Sequence, residues 1–117
     1  MAERFAAGAK AAGHDVEFVS LQGKEIKFCV GCLSCQTTGA CIFKDDVPAI
    51  MESVQDADVV CWATPIYYYD MSGQMKTLID RMNAMYPKDY LFHDIYLLTT
   101  AHENEPDFTP KRAESGL

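Results

Sequence analysis

Apolar and polar positions alternate with two different periods along this chain, and the switches between them divide it into elements. Ala2, Phe5, Ala6, Ala9 and Ala12 repeat at helical spacing, while Glu3, Arg4 and Lys10 fall elsewhere, which predicts a helix over residues 2–12. Gly13 ends it, because glycine tolerates positive φ. Val16 to Ser20 reads as a short strand, and Leu21 to Lys24, with Gly23, as a loop. Phe28 to Cys41 follows with no clear period and with Gly31 and Gly39 as turn residues. Ala49, Ile50, Met51 and Val54 then mark a helix ending near Ala57. Asp46 is the expected cap, and Pro48 sits in the first turn, where its missing N–H is harmless. Val59 to Thr64 is an unbroken apolar run of strand length, which predicts a strand buried on both faces. Pro65 to Asp70 reads as a loop. Met71, Met75, Leu78, Ile79, Met82 and Met85 predict a further helix, stopped at Pro87. Ile95 to Thr100 is a second buried-type strand, and Ala101 to Leu117 is polar with no clear element.

Strands alternating with helices imply a parallel sheet with right-handed crossovers and helices on both faces. Three strands are few for such a sheet, and the chain opens directly in a helix with nothing ahead to cap its amide groups. The expectation is therefore a single, partial domain over residues 1–117, with a strand missing in front and a strand and helix missing behind. The bland alternative is a small α/β domain that starts where it starts.

Composition narrows the function classes. The 117 residues suit one domain, and 49% hydrophobic with 23% charged residues is a globular mix. A net charge of -7 repels polyanions, so nucleic acid is not an expected partner. The apolar runs are too short to span a bilayer, and no secretory signal pattern is present. Of five cysteines, Cys29, Cys32, Cys35 and Cys41 are clustered and Cys61 stands alone in an apolar strand. An odd, clustered set does not suit a secreted disulfide framework. Reduced thiols in the cytoplasm fit better.

Two segments carry candidate chemistry. Ligands of open parallel sheets bind beyond the carboxyl ends of the strands, and Thr64, Pro65, Ile66, Tyr67, Tyr68 and Tyr69 occupy that place. Three successive tyrosines cannot all be buried there. Each offers a flat apolar face with a hydroxyl, suited to an aromatic cofactor with polar edges. Alternatively the rings cover the edge of the core or a subunit contact. The second segment has the spacing C-x2-C-x2-C-x5-C over Cys29, Cys32, Cys35 and Cys41, able to ligate one four-iron four-sulfur cluster. Free thiols in a packed loop, a zinc site and a disulfide stay open as alternatives. Asp45 and Asp46 read as a helix cap. Asp80 and Arg81 read as surface charges or dimer contacts, and Lys76 is in reach of Asp80 for a surface ion pair.

The string ATPIYYYDMSGQMKTLIDR resembles the flavodoxin-like NAD(P)H-dependent FMN reductase family, including its iron-sulfur flavoprotein branch. GCLSCQTTGACIFKDD is similar to that family's cysteine insert, and GAKAAGHDVEFVSL to its first helix and second strand. The resemblance implies a flavodoxin-like three-layer α/β/α fold and FMN held by Thr64 to Tyr69, mainly through backbone groups. It implies further contacts after the last strand, where Thr100 and His102 are the candidates. It also implies NAD(P)H as co-substrate, a quinone, flavin, other small molecule or redox protein as electron acceptor, and a homodimer. The family's phosphate-binding loop would lie upstream of Met1. The competing expectations are an iron-sulfur flavoprotein acting as an electron carrier, and a non-catalytic fragment with structural cysteines.

Overall fold

The computed structural model describes residues 1–102. The expectation for residues 103–117 lies outside them. Among the described residues the chain forms α1 (Ala2–Ala11), α2 (Ser34–Thr38), α3 (Val47–Asp56), β1 (Val59–Tyr67), β2 (Asp70–Met71), α4 (Gly73–Arg81), a 3-10 turn (Met82–Met85) and β3 (Asp94–Thr100). The sheet order is β2-β1-β3, with β1 and β3 parallel from Val59↔Asp94 to Pro65↔Thr100.

That register sorts the side chains onto two faces, because neighbours along a strand point opposite ways. Trp62 packs against the core of Cys35, Val47, Ile50, Met51, Leu78, Ala84 and Met85, which places α3, α4 and the 3-10 turn on its side. Tyr96, paired with Cys61, points the other way and meets Phe5 of α1, with ring centroids 5.5 Å apart. Helices therefore lie on opposite sides of a parallel pair, the layered arrangement of a flavodoxin-like domain. However, α1 buries none of its residues and Ile95 and Tyr96 stay exposed, so the two strands are not buried on both faces as their apolar runs predict.

The α3 and α4 helices follow directly from their patterns. Val47, Ile50 and Met51 bury one face of α3, and Met75 and Leu78 bury one face of α4. Ser72 caps α4, its Oγ accepting from the Met75 amide at 3.4 Å. The helix begins at Gly73 and not at Met71, because Met71 is taken up by β2.

Three further expectations are corrected. Val16 to Ser20 forms no strand. In the flavodoxin order the second strand pairs only with the first, and the described residues offer no such strand. A segment without a ladder has no backbone partner to hold it as sheet. Likewise, β1 pairs on its second side only at Ile66 and Tyr67. The segment Pro65 to Asp70 is a β-hairpin and not a loop: β1 runs through Tyr67 and turns back at once into β2. Finally, Asp46 makes no side-chain cap to α3. Its Oδ2 instead accepts from the Glu25 amide, and Asp45 Oδ1 takes the Val47 N–H at 3.2 Å.

Candidate functional site

The tyrosine turn stands at the carboxyl end of β1. Tyr67 pairs with Asp70, so Tyr68 and Tyr69 form a two-residue connection, and both have positive φ, 50° and 69°. Such turns are normally built from Asn, Asp or Gly. Left-handed backbone costs other residues roughly 1–2 kcal/mol each, and strain of this kind gathers at functional sites. The rings point outward, with Tyr68 95% exposed and Tyr67 and Tyr69 also exposed.

The turn is held by a brace beneath it. Thr64 is buried, and its Oγ1 accepts from the Ser72 amide at 3.0 Å and lies 3.2 Å from Ser72 Oγ. A residue just ahead of the hairpin is thus tied to the residue that caps α4, and the hairpin between them cannot open without breaking both bonds. Thr64 is fully engaged inside the protein, so its side chain is a support for the turn. Pro65 and Ile66 are half-buried. Thr100 is paired with Pro65 across the parallel ladder, and it and the nearby His102 are exposed. The structure therefore gathers Thr64 to Tyr69 and Thr100 at one sheet end, the end at which open α/β sheets bind ligands.

The four clustered cysteines border one small surface concavity, together with Val30, Leu33, Ile42, Phe43, Arg81 and Asn83. Cys35 is buried, Cys41 half-buried, and Cys29 and Cys32 exposed. All are free thiols. The loop bends through positive φ at Gly31, Leu33 and Gly39, with α2 between the last two. Leu33 lacks the freedom of its glycine neighbours, which makes this the second strained backbone at a candidate site. Among the described residues no three His, Cys, Asp or Glu side chains stand close enough together to share a single metal ion. Cys61 is half-buried on its strand, apart from this group, and burial pushes its thiol pKa up.

The wall of the concavity is electrically organised by a pair that sequence reasoning missed. Arg81, expected on the surface, is buried against Asp45, with side chains 1% and 0% exposed. Its Nη1 donates to Asp45 Oδ2 at 2.7 Å and to the Lys27 carbonyl at 2.8 Å, and its Nη2 to Asp45 Oδ1 at 3.1 Å. The Lys27 amide donates to Asp45 Oδ2 at 2.9 Å. Burial alone would raise the Asp45 pKa, but hydrogen bonds from Arg81, Lys27 and Val47 together hold the carboxyl below its ordinary value. Burial opposes the charge on Arg81, and Asp45 and then Cys41 outweigh it, so the guanidinium pKa is raised. This cluster fastens the end of α4 to the strand-like segment entering the cysteine loop and to the start of α3. The only sequence signal was a cation in line with an apolar helix and an acidic pair ahead of another. Their union across 36 positions is not visible in one sequence. Lys76 and Asp80 form the expected surface ion pair.

The chain matches the NADPH-dependent FMN reductase family over residues 1–104. It is 41% identical over 70 residues to an iron-sulfur flavoprotein of Archaeoglobus fulgidus, covering 60% of this chain and 32% of that one. It is 39% identical over 73 residues to an iron-sulfur flavoprotein of Methanocaldococcus jannaschii, covering 62% and 38%. An iron-sulfur flavoprotein of Methanosarcina thermophila is 29% identical over 82 residues, covering 70% and 43%. The chain thus spans about a third of the length of the first curated relatives it matches, 32% and 38%. No solved structure gives a significant match. No helix among the described residues is long and apolar enough to cross a membrane. The family model matches over all of the described residues, and the chain belongs to the NADPH-dependent FMN reductase family.

Proposed function

We propose that this chain is the core of an electron-transferring flavoprotein, with FMN resting on the tyrosine turn and one four-iron cluster held by Cys29, Cys32, Cys35 and Cys41. The observation that carries the reading is that all four cysteines border one concavity. Soft thiolates select iron-sulfur clusters or zinc. A cubane presents a separate iron corner to each thiolate, so its ligands must surround a cage. Four thiols bordering one common space, no three of them close enough to share one ion, suit that better than a single tetrahedral ion.

The tyrosine turn supports the flavin half. Its exposed rings offer flat apolar surface, and its backbone is held rigid by Thr64 and Ser72. A preformed turn loses little freedom when a flat ligand lies on it. Thr100, across the ladder from Pro65, brings a second hydroxyl to the same end, and His102 follows. When bound, FMN supplies hydride and single-electron chemistry and the cluster supplies single-electron transfer. The protein's part is to orient both and to fix the charge around the cysteine concavity. NAD(P)H is the proposed electron source, a quinone, flavin, other small molecule or redox protein the acceptor, and the homodimer the proposed assembly.

Anaerobic purification tests both halves. About four irons per chain and flavin absorbance bands are expected. Iron-free protein from that preparation rejects the cluster, and colourless protein that ignores added FMN rejects the flavin.

One observation favours a second reading, a simple flavin reductase. Cys29 and Cys32 are exposed thiols, as in a loop that needs no metal. That reading predicts NAD(P)H oxidation with a quinone acceptor by iron-free protein, unaffected by chelator.

A further inference from the structure

Two residues that carry nitrogen donors, Arg81 and Asn83, line the cysteine concavity. Arg81 is part of the lining, and its side chain is 1% exposed. Its terminal nitrogens are engaged by Asp45 and the Lys27 carbonyl. Its Nε is buried and has no partner among the described residues. A buried donor without an acceptor costs about 1–3 kcal/mol, more when charged, and native proteins rarely keep one unexplained. Asn83 lies in the same lining, on the 3-10 turn just beyond α4, and its Nδ2 donates to Cys35 Sγ at 3.8 Å. Val30, Leu33, Ile42 and Phe43 add apolar side chains to the lining, and the Phe43 ring centroid is 5.0 Å from the guanidinium carbon of Arg81.

We propose that Arg81 and Asn83 are sulfur-directed donors, placed to hydrogen-bond thiolate and sulfide sulfurs of a cluster in the cysteine concavity and thereby to set its reduction potential. The inference rests on the cluster reading above and adds two positioning residues to it. Neither is a ligand, since neither guanidinium nor amide nitrogen competes with four thiolates for iron.

The chemistry is one-directional. A reduced cluster carries one more negative charge than an oxidised one. N–H donors and a fixed positive charge therefore stabilise the reduced form more and raise the potential. Arginine is suited to this because it does not lose its proton in proteins, so its charge is constant across the working pH range. Asp45 neutralises part of the guanidinium charge but turns its Nε edge away from itself. The ion pair therefore orients the donor as well as burying it.

The test is a redox titration of anaerobically purified protein, with iron counted first, for the wild type and Asn83→Leu, Asn83→Asp and Arg81→Lys. The Asn83 variants leave the Arg81–Asp45 pair intact, so they give an answer even if Arg81→Lys does not fold. Iron content should stay at the wild-type value. The one-electron reduction equilibrium of Asn83→Leu should fall roughly tenfold, a midpoint about 59 mV more negative. Asn83→Asp should move further in the same direction, because a carboxylate replaces the donor. Arg81→Lys keeps the charge and loses Nε, so it should shift negative by less. Iron-loaded Asn83 variants at the wild-type potential overturn the role of Asn83, and iron-loaded Arg81→Lys at that potential overturns the role of Arg81. A wild-type protein without iron rejects the cluster reading itself, and this inference with it.

Discussion

Replacing Asp45 by Asn removes a charge without removing volume, and the surroundings of that carboxylate make the consequence calculable. Both oxygens act purely as acceptors. Oδ2 receives the Lys27 amide and Arg81 Nη1, and Oδ1 receives the Val47 amide and Arg81 Nη2. Whichever way an Asn amide is turned, its NH2 meets two N–H groups, so one orientation is no better than the other. The Arg81 guanidinium is then left charged in a site where its side chain is 1% exposed. Removing one partner of a buried pair costs about 3–5 kcal/mol. At about 4 °C per kcal/mol for a domain of this size, the melting temperature should fall by roughly 12–20 °C. The pH dependence has a definite sign. The folded-state pKa of Asp45 is lowered, so its contribution is fully present above the unfolded value near ~3.9 and is lost as pH falls through the folded value. The gap between wild type and Asp45→Asn should thus be full at neutral pH and narrow in strong acid. Urea denaturation at pH 7 and at several acid pH values measures it. A neutral-pH loss below about 1 kcal/mol, the range of an exposed pair, would refute the reasoning. The exposed Lys76–Asp80 pair supplies the contrast, since its side chains are 51% and 46% exposed. Lys76→Ala should cost no more than about 0.5 kcal/mol, largely screened by salt.

Two further outcomes bear on the tyrosine turn. Tyr68→Asn with Tyr69→Gly installs the residues that a connection with two positive φ values prefers. It should raise stability by about 1 kcal/mol in urea titration while weakening FMN retention measured by flavin fluorescence. Unchanged retention would remove the tyrosines from the flavin site. Thr64→Val keeps the shape of the side chain and leaves the buried Ser72 amide without its acceptor. It should cost about 1–3 kcal/mol, with faster hydrogen exchange at Ser72 as the local readout.

Much of this architecture is legible in sequence because its signals are local. The apolar stripe of α3, the unbroken run of β1 and the cysteine spacing each lie within a short window, and each element appears where its pattern places it. What sequence reading loses is long-range or balanced. Val16 to Ser20 has strand character, but sheet needs a second chain segment to bond with, and propensity cannot supply one. Tyr68 and Tyr69 conceal a hairpin because the usual Asn-Gly signal is absent; the turn is imposed from below by Thr64 and Ser72. Arg81 looks like one more exposed helix charge, because the acceptors that bury it come from Lys27 and Asp45 in distant segments.

These features meet in α4. At its start, Ser72 caps the helix and is bonded to Thr64 under the tyrosine turn. At its end, Arg81 binds Asp45 and Lys27 beside the cysteine concavity. Nine residues of rise separate these anchors, roughly 14 Å along the axis, and both are buried. Loops alone would leave the spacing of the two candidate sites to fluctuate. A helix pinned by buried polar bonds at both ends fixes it, because neither end can slide without leaving a donor unpaired. A break at one anchor should therefore be felt at the other. Loss of the Asp45–Arg81 pair frees the end of α4, and loss of the Thr64–Ser72 brace frees its start. In both cases the relation between turn and concavity is what loosens first, ahead of the apolar core around Leu78 and Val47.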